Sequence, residues 1–155
     1  MTTRILMVCL GNICRSPTAE AAMREAAQAA GIDVVVDSAG TADYHVGSGP
    51  DPRTRDAAGR AGLHLTSVGR QVSRQDFEDF DLLVAMDRAN QLDLLHLAPD
   101  DAARGKVRLL LDYTDHRGAE VPDPYHGGPD GFTDVVRVVR AGTTGLAAAI
   151  AAGRP

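Results

Sequence analysis

The chain has 155 residues, a formal net charge of −5, no tryptophan and two cysteines. That length suits a single domain with a sizeable core, and mild acidity without a basic tract or an RNA-type aromatic motif speaks against nucleic acid as a partner. No apolar run is long enough to cross a membrane, and Met1-Thr2-Thr3-Arg4 lacks the apolar stretch and cleavage site of a signal peptide, so a cytoplasmic location is expected.

Ile5-Leu6-Met7-Val8 reads as a buried strand. It runs into Cys9-Leu10-Gly11-Asn12-Ile13-Cys14-Arg15-Ser16-Pro17 and then an alanine-rich helical pattern from Thr18 to Ala30, stopped by Gly31. Gly11 and Asn12 are the residue types that most readily take left-handed backbone angles. Ser16 as N-cap and Pro17 at the first helical position form a helix start. A helix N-terminus offers unpaired N–H groups and partial positive charge, which hold anions. A thiol facing such donors and a guanidinium is expected to be a reactive thiolate, and Arg15 suits bidentate binding of a tetrahedral oxyanion. A cysteine ending a buried strand is ordinarily a small core residue. The strand before, the Gly and Asn within and the Ser-Pro after favour a phosphate cradle with Cys9 at its floor.

Residues 32–36 read as a second strand, followed by polar Asp37-Ser38-Ala39-Gly40-Thr41 where it stops, then by a Gly- and Pro-rich loop over 42–52. Short helices are expected over 53–61 and over 73–80, the latter with Ser73 as N-cap. Leu82 to Met86 reads as a third strand, and Asp87 caps a helix running toward Ala98. A fourth strand covers 107–111, a loop 112–131, and a last helix begins at about Phe132. Apolar strands alternating with helices predict an α/β three-layer sandwich: a four-stranded parallel sheet flanked by about five helices, with the phosphate-binding loop after strand 1. Ligands of such sheets bind at the carboxyl ends of strands where the strand order reverses.

Asp123-Pro124-Tyr125 lies in the long loop after the fourth strand. Cleaving a phosphate ester needs a general acid for the leaving oxygen, and an Asp over the cradle can supply it. Asp-Pro is also ordinary turn chemistry, with the Asp bonding its own backbone.

Together with Asp37–Thr41, Gly49-Pro50-Asp51-Pro52-Arg53 and Leu83-Val84-Ala85-Met86-Asp87-Arg88, these motifs make the whole chain resemble the low-molecular-weight protein tyrosine phosphatases. The resemblance implies one domain over residues 1–155 that hydrolyses phosphotyrosine in proteins and small aryl phosphates. It implies Cys9 as the nucleophile forming a phosphocysteine, Arg15 and the loop N–H groups of Leu10, Gly11, Asn12, Ile13 and Cys14 on the phosphate, and Asp123 as acid, then base. Ser16 would donate to the thiolate, and Asn12 would be held by neighbours including Ser38. Cys14 would pair reversibly with Cys9 on oxidation. Leu10, Ile13, Tyr44 and Tyr125 would wall the pocket, with Ile13 favouring phosphotyrosine over phosphoarginine. No cofactor or metal is implied. The expected partners are phosphotyrosine proteins, a cognate tyrosine kinase, and phosphate or other oxyanions.

Two departures stand out. His126 replaces the second of two tyrosines common after Asp-Pro, and Ser67 stands where relatives usually place a His that braces Asn12, with His64 nearby but out of register. The remaining histidines, His45 among them, read as surface residues. A thioredoxin-coupled arsenate reductase would need cysteines beyond Cys9 and Cys14. A non-catalytic binding module would be expected to lack Cys9 or Asp123, and a nucleotide-binding protein would carry Gly-x4-Gly-Lys-Ser/Thr.

Overall fold

The computed structural model describes residues 1–125 and 128–155, so His126 lies outside the described residues. Strand β1 (Thr3–Cys9) has Ile5, Leu6, Met7 and Val8 fully buried, which requires cover on both faces. The two-residue side-chain period divides that cover. Ile5, Met7 and Cys9 face one layer, built from α1 (Arg15–Ala30), α2 (Pro52–Arg60) and α6 (Pro129–Ala151). Leu6 and Val8 face the other, built from α3 (Asp76–Asp79), α4 (Arg88–Leu97) and α5 (Asp101–Arg104). With β2 (Val34–Gly40), β3 (Leu82–Ala85) and β4 (Val107–Leu109), the described residues form four strands and six α-helices, the α/β sandwich expected.

The strand order is β2-β1-β3-β4, and every pair is parallel. From β1 the chain moves to β2 on one side and then crosses to β3 on the other. The reversal therefore falls at the carboxyl end of β1, where Cys9 sits beside Gly40.

Several boundaries differ from the sequence expectation. Strand β2 starts at Val34 and continues through Asp37 to Gly40. Its polar residues pair with Leu6 and Met7 in the ladder because their side chains find partners, described below. The helix expected over 73–80 shrinks to a single turn. Ser73 does not cap it; the Ser73 N–H donates to Asp76 Oδ2 at 2.8 Å. The last helix begins at Pro129, a position that suits proline because its missing N–H would be unpaired there anyway. Helix α5, capped by Asp100, has no counterpart among the expected elements; four residues carry too little periodicity to read. β4 ends after three residues and becomes a 3-10 turn, Leu110–Tyr113. That turn lies on α6, where a Cβ at Gly142 would come 2.5 Å from Leu110 Cγ and one at Gly145 would overlap the Tyr113 carbonyl oxygen. This close approach accounts for two glycines inside a helix.

Candidate active site

Residues 9–15 form the loop between β1 and α1. Helix α1 begins at Arg15, one residue before the expected Ser16 cap, and Cys14 stands at the N-cap without a side-chain bond. Asn12 takes the left-handed backbone, with φ of 58°, and Gly11 does not. Gly11 instead lies close under a neighbour: a Cβ there would meet His45 Cδ2 at 3.0 Å, so the ring would have to give way slightly. Gly40 serves the loop in the same way, since its Cβ would lie 2.7 Å from the Leu10 carbonyl oxygen.

Cys9, Asn12, Cys14, Arg15 and Ser16 are all buried. The Cys9 Sγ lies 3.1 Å from Ser16 Oγ and accepts the Asn12 N–H at 3.3 Å. Ser16 Oγ accepts from Asn12 Nδ2 at 2.8 Å, and its own proton has the sulfur at 3.1 Å and the Ala39 carbonyl at 3.5 Å as acceptors. Among the described residues, the N–H groups of Leu10, Gly11, Ile13, Cys14 and Arg15 have no protein acceptor. All five belong to residues that line one cavity with Cys9, at the N-terminus of α1, and unpaired donors gathered there form a site for an anion.

Arg15 is oriented from below. Its Nη1 donates to Asp87 Oδ2 at 2.7 Å and to the Val121 carbonyl at 3.1 Å, while Nη2 lies 3.7 Å from Asp123 Oδ2. Burial disfavours the cation. The nearby acidic groups of Cys9, Asp87 and Asp123 outweigh it and hold the Arg15 pKa above its ordinary value. Asp87 also caps α4 by accepting the Asn90 N–H at 2.7 Å, so one carboxylate serves both the helix and the guanidinium. Burial, the largest influence on Cys14, pushes its thiol up to about 11.

Asp123 satisfies both readings of its motif. Its Oδ1 accepts the Tyr125 N–H at 3.0 Å, the turn bond expected of Asp-Pro. It also lines, with Cys9, Leu10, Gly11, Ile13, Cys14, Arg15, Tyr44 and Tyr125, a cavity of about 330 Å³. His45 lines it too, where the sequence suggests only a surface residue; its ring centroid is 6.3 Å from that of Tyr125. Its place beside Tyr44 in a loop gives no periodic signal.

Ser38 departs from expectation. It donates to the buried Glu20 Oε1 at 2.7 Å, and Asn12 is braced elsewhere. Asn12 Oδ1 accepts the backbone N–H of Arg70 at 3.1 Å. The Arg70 guanidinium in turn grips Asp37 at 3.0 Å and Asp76 at 3.0 Å. Burial opposes that cation, but the two carboxylates raise its pKa overall. Arg70 is thus the main brace that the sequence does not reveal, since nothing separates it from the other arginines in the chain. Ser67 Oγ, at the position of the expected His, is buried and has no hydrogen-bond partner among the described residues.

The family model for low molecular weight phosphotyrosine protein phosphatase matches residues 4–154. The chain belongs to that family. It is 44% identical over 155 residues to a low molecular weight protein-tyrosine-phosphatase of Streptomyces coelicolor, covering 97% of this chain and 94% of the relative. It is 37% identical over 147 residues to the human low molecular weight phosphotyrosine protein phosphatase, covering 90% and 93%. A crystal structure of a protein tyrosine phosphatase from Entamoeba histolytica, with Hepes in its active site, superposes with a TM-score of 0.94 at 37% identity and covers 99% of each chain. Among the described residues of the phosphatase chain, no helix is long and apolar enough to cross a membrane.

Proposed function

We propose that residues 1–155 act as one domain that hydrolyses phosphotyrosine in proteins, and small aryl phosphates, through a phosphocysteine intermediate. The observation that carries this reading is a set of five loop N–H groups without a protein acceptor among the described residues, on residues that line one cavity with Cys9 at the end of β1. Those donors and the free edge of Arg15 match the equatorial oxygens of a phosphoryl group. The Cys9 thiolate attacks phosphorus and the P–O ester bond breaks. Asp123 gives its proton to the leaving tyrosine oxygen. The Asp123 carboxylate then takes a proton from water, the water oxygen attacks phosphorus, and the P–S bond breaks to release phosphate and the thiolate. Ser16 donates to the sulfur as it leaves.

The walls support an aryl ester. Ile13, Leu10, Tyr44, Tyr125 and His45 line the cavity with Cys9, a residue only 3% exposed. A short serine phosphate reaches Cys9 less well than a phenyl phosphate. The physiological setting that fits is cytoplasmic, with phosphotyrosine proteins, including a cognate tyrosine kinase, as partners.

The test is turnover of p-nitrophenyl phosphate at mildly acidic pH without added metal, together with a panel of phosphotyrosine, phosphoserine and phosphoarginine peptides. Phosphotyrosine is expected to be preferred, and Cys9→Ser to abolish turnover. Unchanged turnover in Cys9→Ser would overturn the mechanism, and preference for phosphoarginine would overturn the substrate reading.

A further inference from the structure

Arg53, the second residue of α2, touches three parts of the site at once. Its guanidinium grips Asp51 through Nε at 3.2 Å and Nη2 at 3.1 Å. Nη2 also lies 3.4 Å from the Tyr125 carbonyl oxygen. The guanidinium carbon is 5.6 Å from the Tyr125 ring centroid and 4.6 Å from that of Phe132, at the start of α6. Asp51 is not a free surface carboxylate. It caps α2 by accepting the Arg53 N–H at 2.8 Å, and its own N–H donates to the Ile13 carbonyl at 2.9 Å. The Arg53 bond, the first influence on Asp51, holds that carboxyl below its ordinary pKa. A continuous chain of contacts therefore runs from the phosphate loop at Ile13, through Asp51 and Arg53, to Tyr125, two residues beyond Asp123.

We infer that Arg53 is a positioning residue for the general acid. It acts through Tyr125 and touches neither substrate nor sulfur. The Asp123 carboxyl is on an irregular segment, with its side chain 46% exposed, and Oδ1 is tied to the Tyr125 N–H. Where Tyr125 sits therefore sets where Asp123 points. A planar guanidinium suits this role because it binds Asp51 through its edge while presenting its face to Tyr125 and Phe132. A lysine can do neither in the same geometry. The inference rests on the role given to Asp123 above, and the test separates the two.

The experiment measures kcat/KM for aryl phosphates whose leaving groups range from dinitrophenol to phenol, in wild type, Arg53→Met, Arg53→Lys, Asp123→Ala and the Arg53→Met/Asp123→Ala double variant. General acid catalysis is worth roughly a hundredfold to ten-thousandfold. Partial misplacement of the acid by Arg53→Met is expected to lower phenyl phosphate turnover about tenfold and to leave the dinitrophenyl ester within about twofold. Arg53→Lys is expected to follow Arg53→Met, because charge alone does not restore the fork. In the double variant, the Arg53 change is expected to add less than about twofold to the Asp123→Ala loss, since no acid remains to be placed. A loss uniform across leaving groups, or one that multiplies in the double variant, would overturn the inference. If Asp123→Ala is steep and Arg53→Met runs parallel to wild type, the Arg53 inference alone falls. If Asp123→Ala is itself flat, the acid assignment falls first. Competitive inhibition by inorganic phosphate is the folding control. Its inhibition constant is expected to be unchanged in Arg53→Met, and weakened phosphate binding would overturn the inference by moving the effect of Arg53 to the loop.

Discussion

Asn12 is the only residue other than glycine with a positive φ among the described residues, and it is almost completely buried. Two substitutions separate what its side chain does from what its backbone costs. Asn12→Gly removes the bond to Ser16 Oγ at 2.8 Å and the bond from the Arg70 N–H at 3.1 Å. At about 1 kcal/mol net for each bond, the loss is about 2 kcal/mol. Glycine adds about 0.5–1 kcal/mol through the greater freedom of the unfolded chain, for a total of about 2.5–3 kcal/mol. Asn12→Ala loses the same bonds and, unlike glycine, keeps a Cβ at φ of 58° with no side-chain hydrogen bond to offset it, which costs about 1–2 kcal/mol relative to glycine. Alanine is thus expected to fall about 0.5–1 kcal/mol below glycine, the reverse of the usual order at an ordinary backbone position. Urea denaturation reads the difference as a shift in midpoint at constant slope. Turnover is expected to fall in both variants, about tenfold or more, because a loop displaced by a fraction of an ångström misplaces every donor. Alanine as stable as glycine, or glycine as stable as wild type, would refute the assignment of Asn12 as the fastener of the loop.

Gly40→Ala places a Cβ 2.7 Å from the Leu10 carbonyl oxygen and 3.2 Å from Gly11 C, so a cost of about 1–3 kcal/mol and weaker phosphate inhibition are expected. Gly59→Ala in α2, with open space around it, is the contrast and is expected to be neutral or stabilising by up to about 1 kcal/mol; equal stabilities would remove the close-approach argument. Burial raises the Cys14 thiol from 9.0 to about 11, so ionisation favours the unfolded state as pH climbs through that window and the stability held below it is lost. With roughly 1.4 kcal/mol for each pH unit, the loss is on the order of 3 kcal/mol at most. Cys14→Ala is expected to flatten this alkaline slope, and an identical slope in the variant would sink the account. Peroxide is expected to oxidise Cys9 to the sulfenic acid, which Cys14 then condenses with, releasing water and forming a disulfide that added thiol reverses. Irreversible loss of one thiol, without a Cys9–Cys14 link on mass mapping, would remove Cys14 from that role.

The reacting atoms are more legible in the sequence than the groups that hold them. Cys9, Arg15 and Asp123 declare themselves because each belongs to a contiguous motif with a chemical reason for its spacing. Strand β1 is equally plain, since four consecutive buried apolar residues admit few other readings. The supports are single residues brought in by tertiary contact. Arg70 comes from an irregular segment, and only the fold places it on Asn12, Asp37 and Asp76. Asp87 is visible as a helix cap, but its second oxygen meets Arg15, at the start of α1, from the turn that follows the neighbouring strand β3. Strand β2 extends past its expected end, because Asp37 and Ser38 look like a stop. They continue the ladder because Arg70 and Glu20 pair with them, information that resides at positions far along the chain.

The departure at Ser67 bears on how the loop tolerates change. Its hydroxyl is buried and has no hydrogen-bond partner among the described residues. Yet Asn12 makes both of its bonds without it, one forward to Ser16 and one to the Arg70 backbone. A backbone donor survives every substitution except proline, and Arg70 is itself pinned by carboxylates on β2 and α3. The guanidinium of Arg15 is fixed separately by Asp87, and Asp51 reaches the loop from α2. These supports approach the loop from different elements and share no atom. With these supports in place, a serine at position 67 is compatible with a loop whose five N–H groups have no protein acceptor among the described residues.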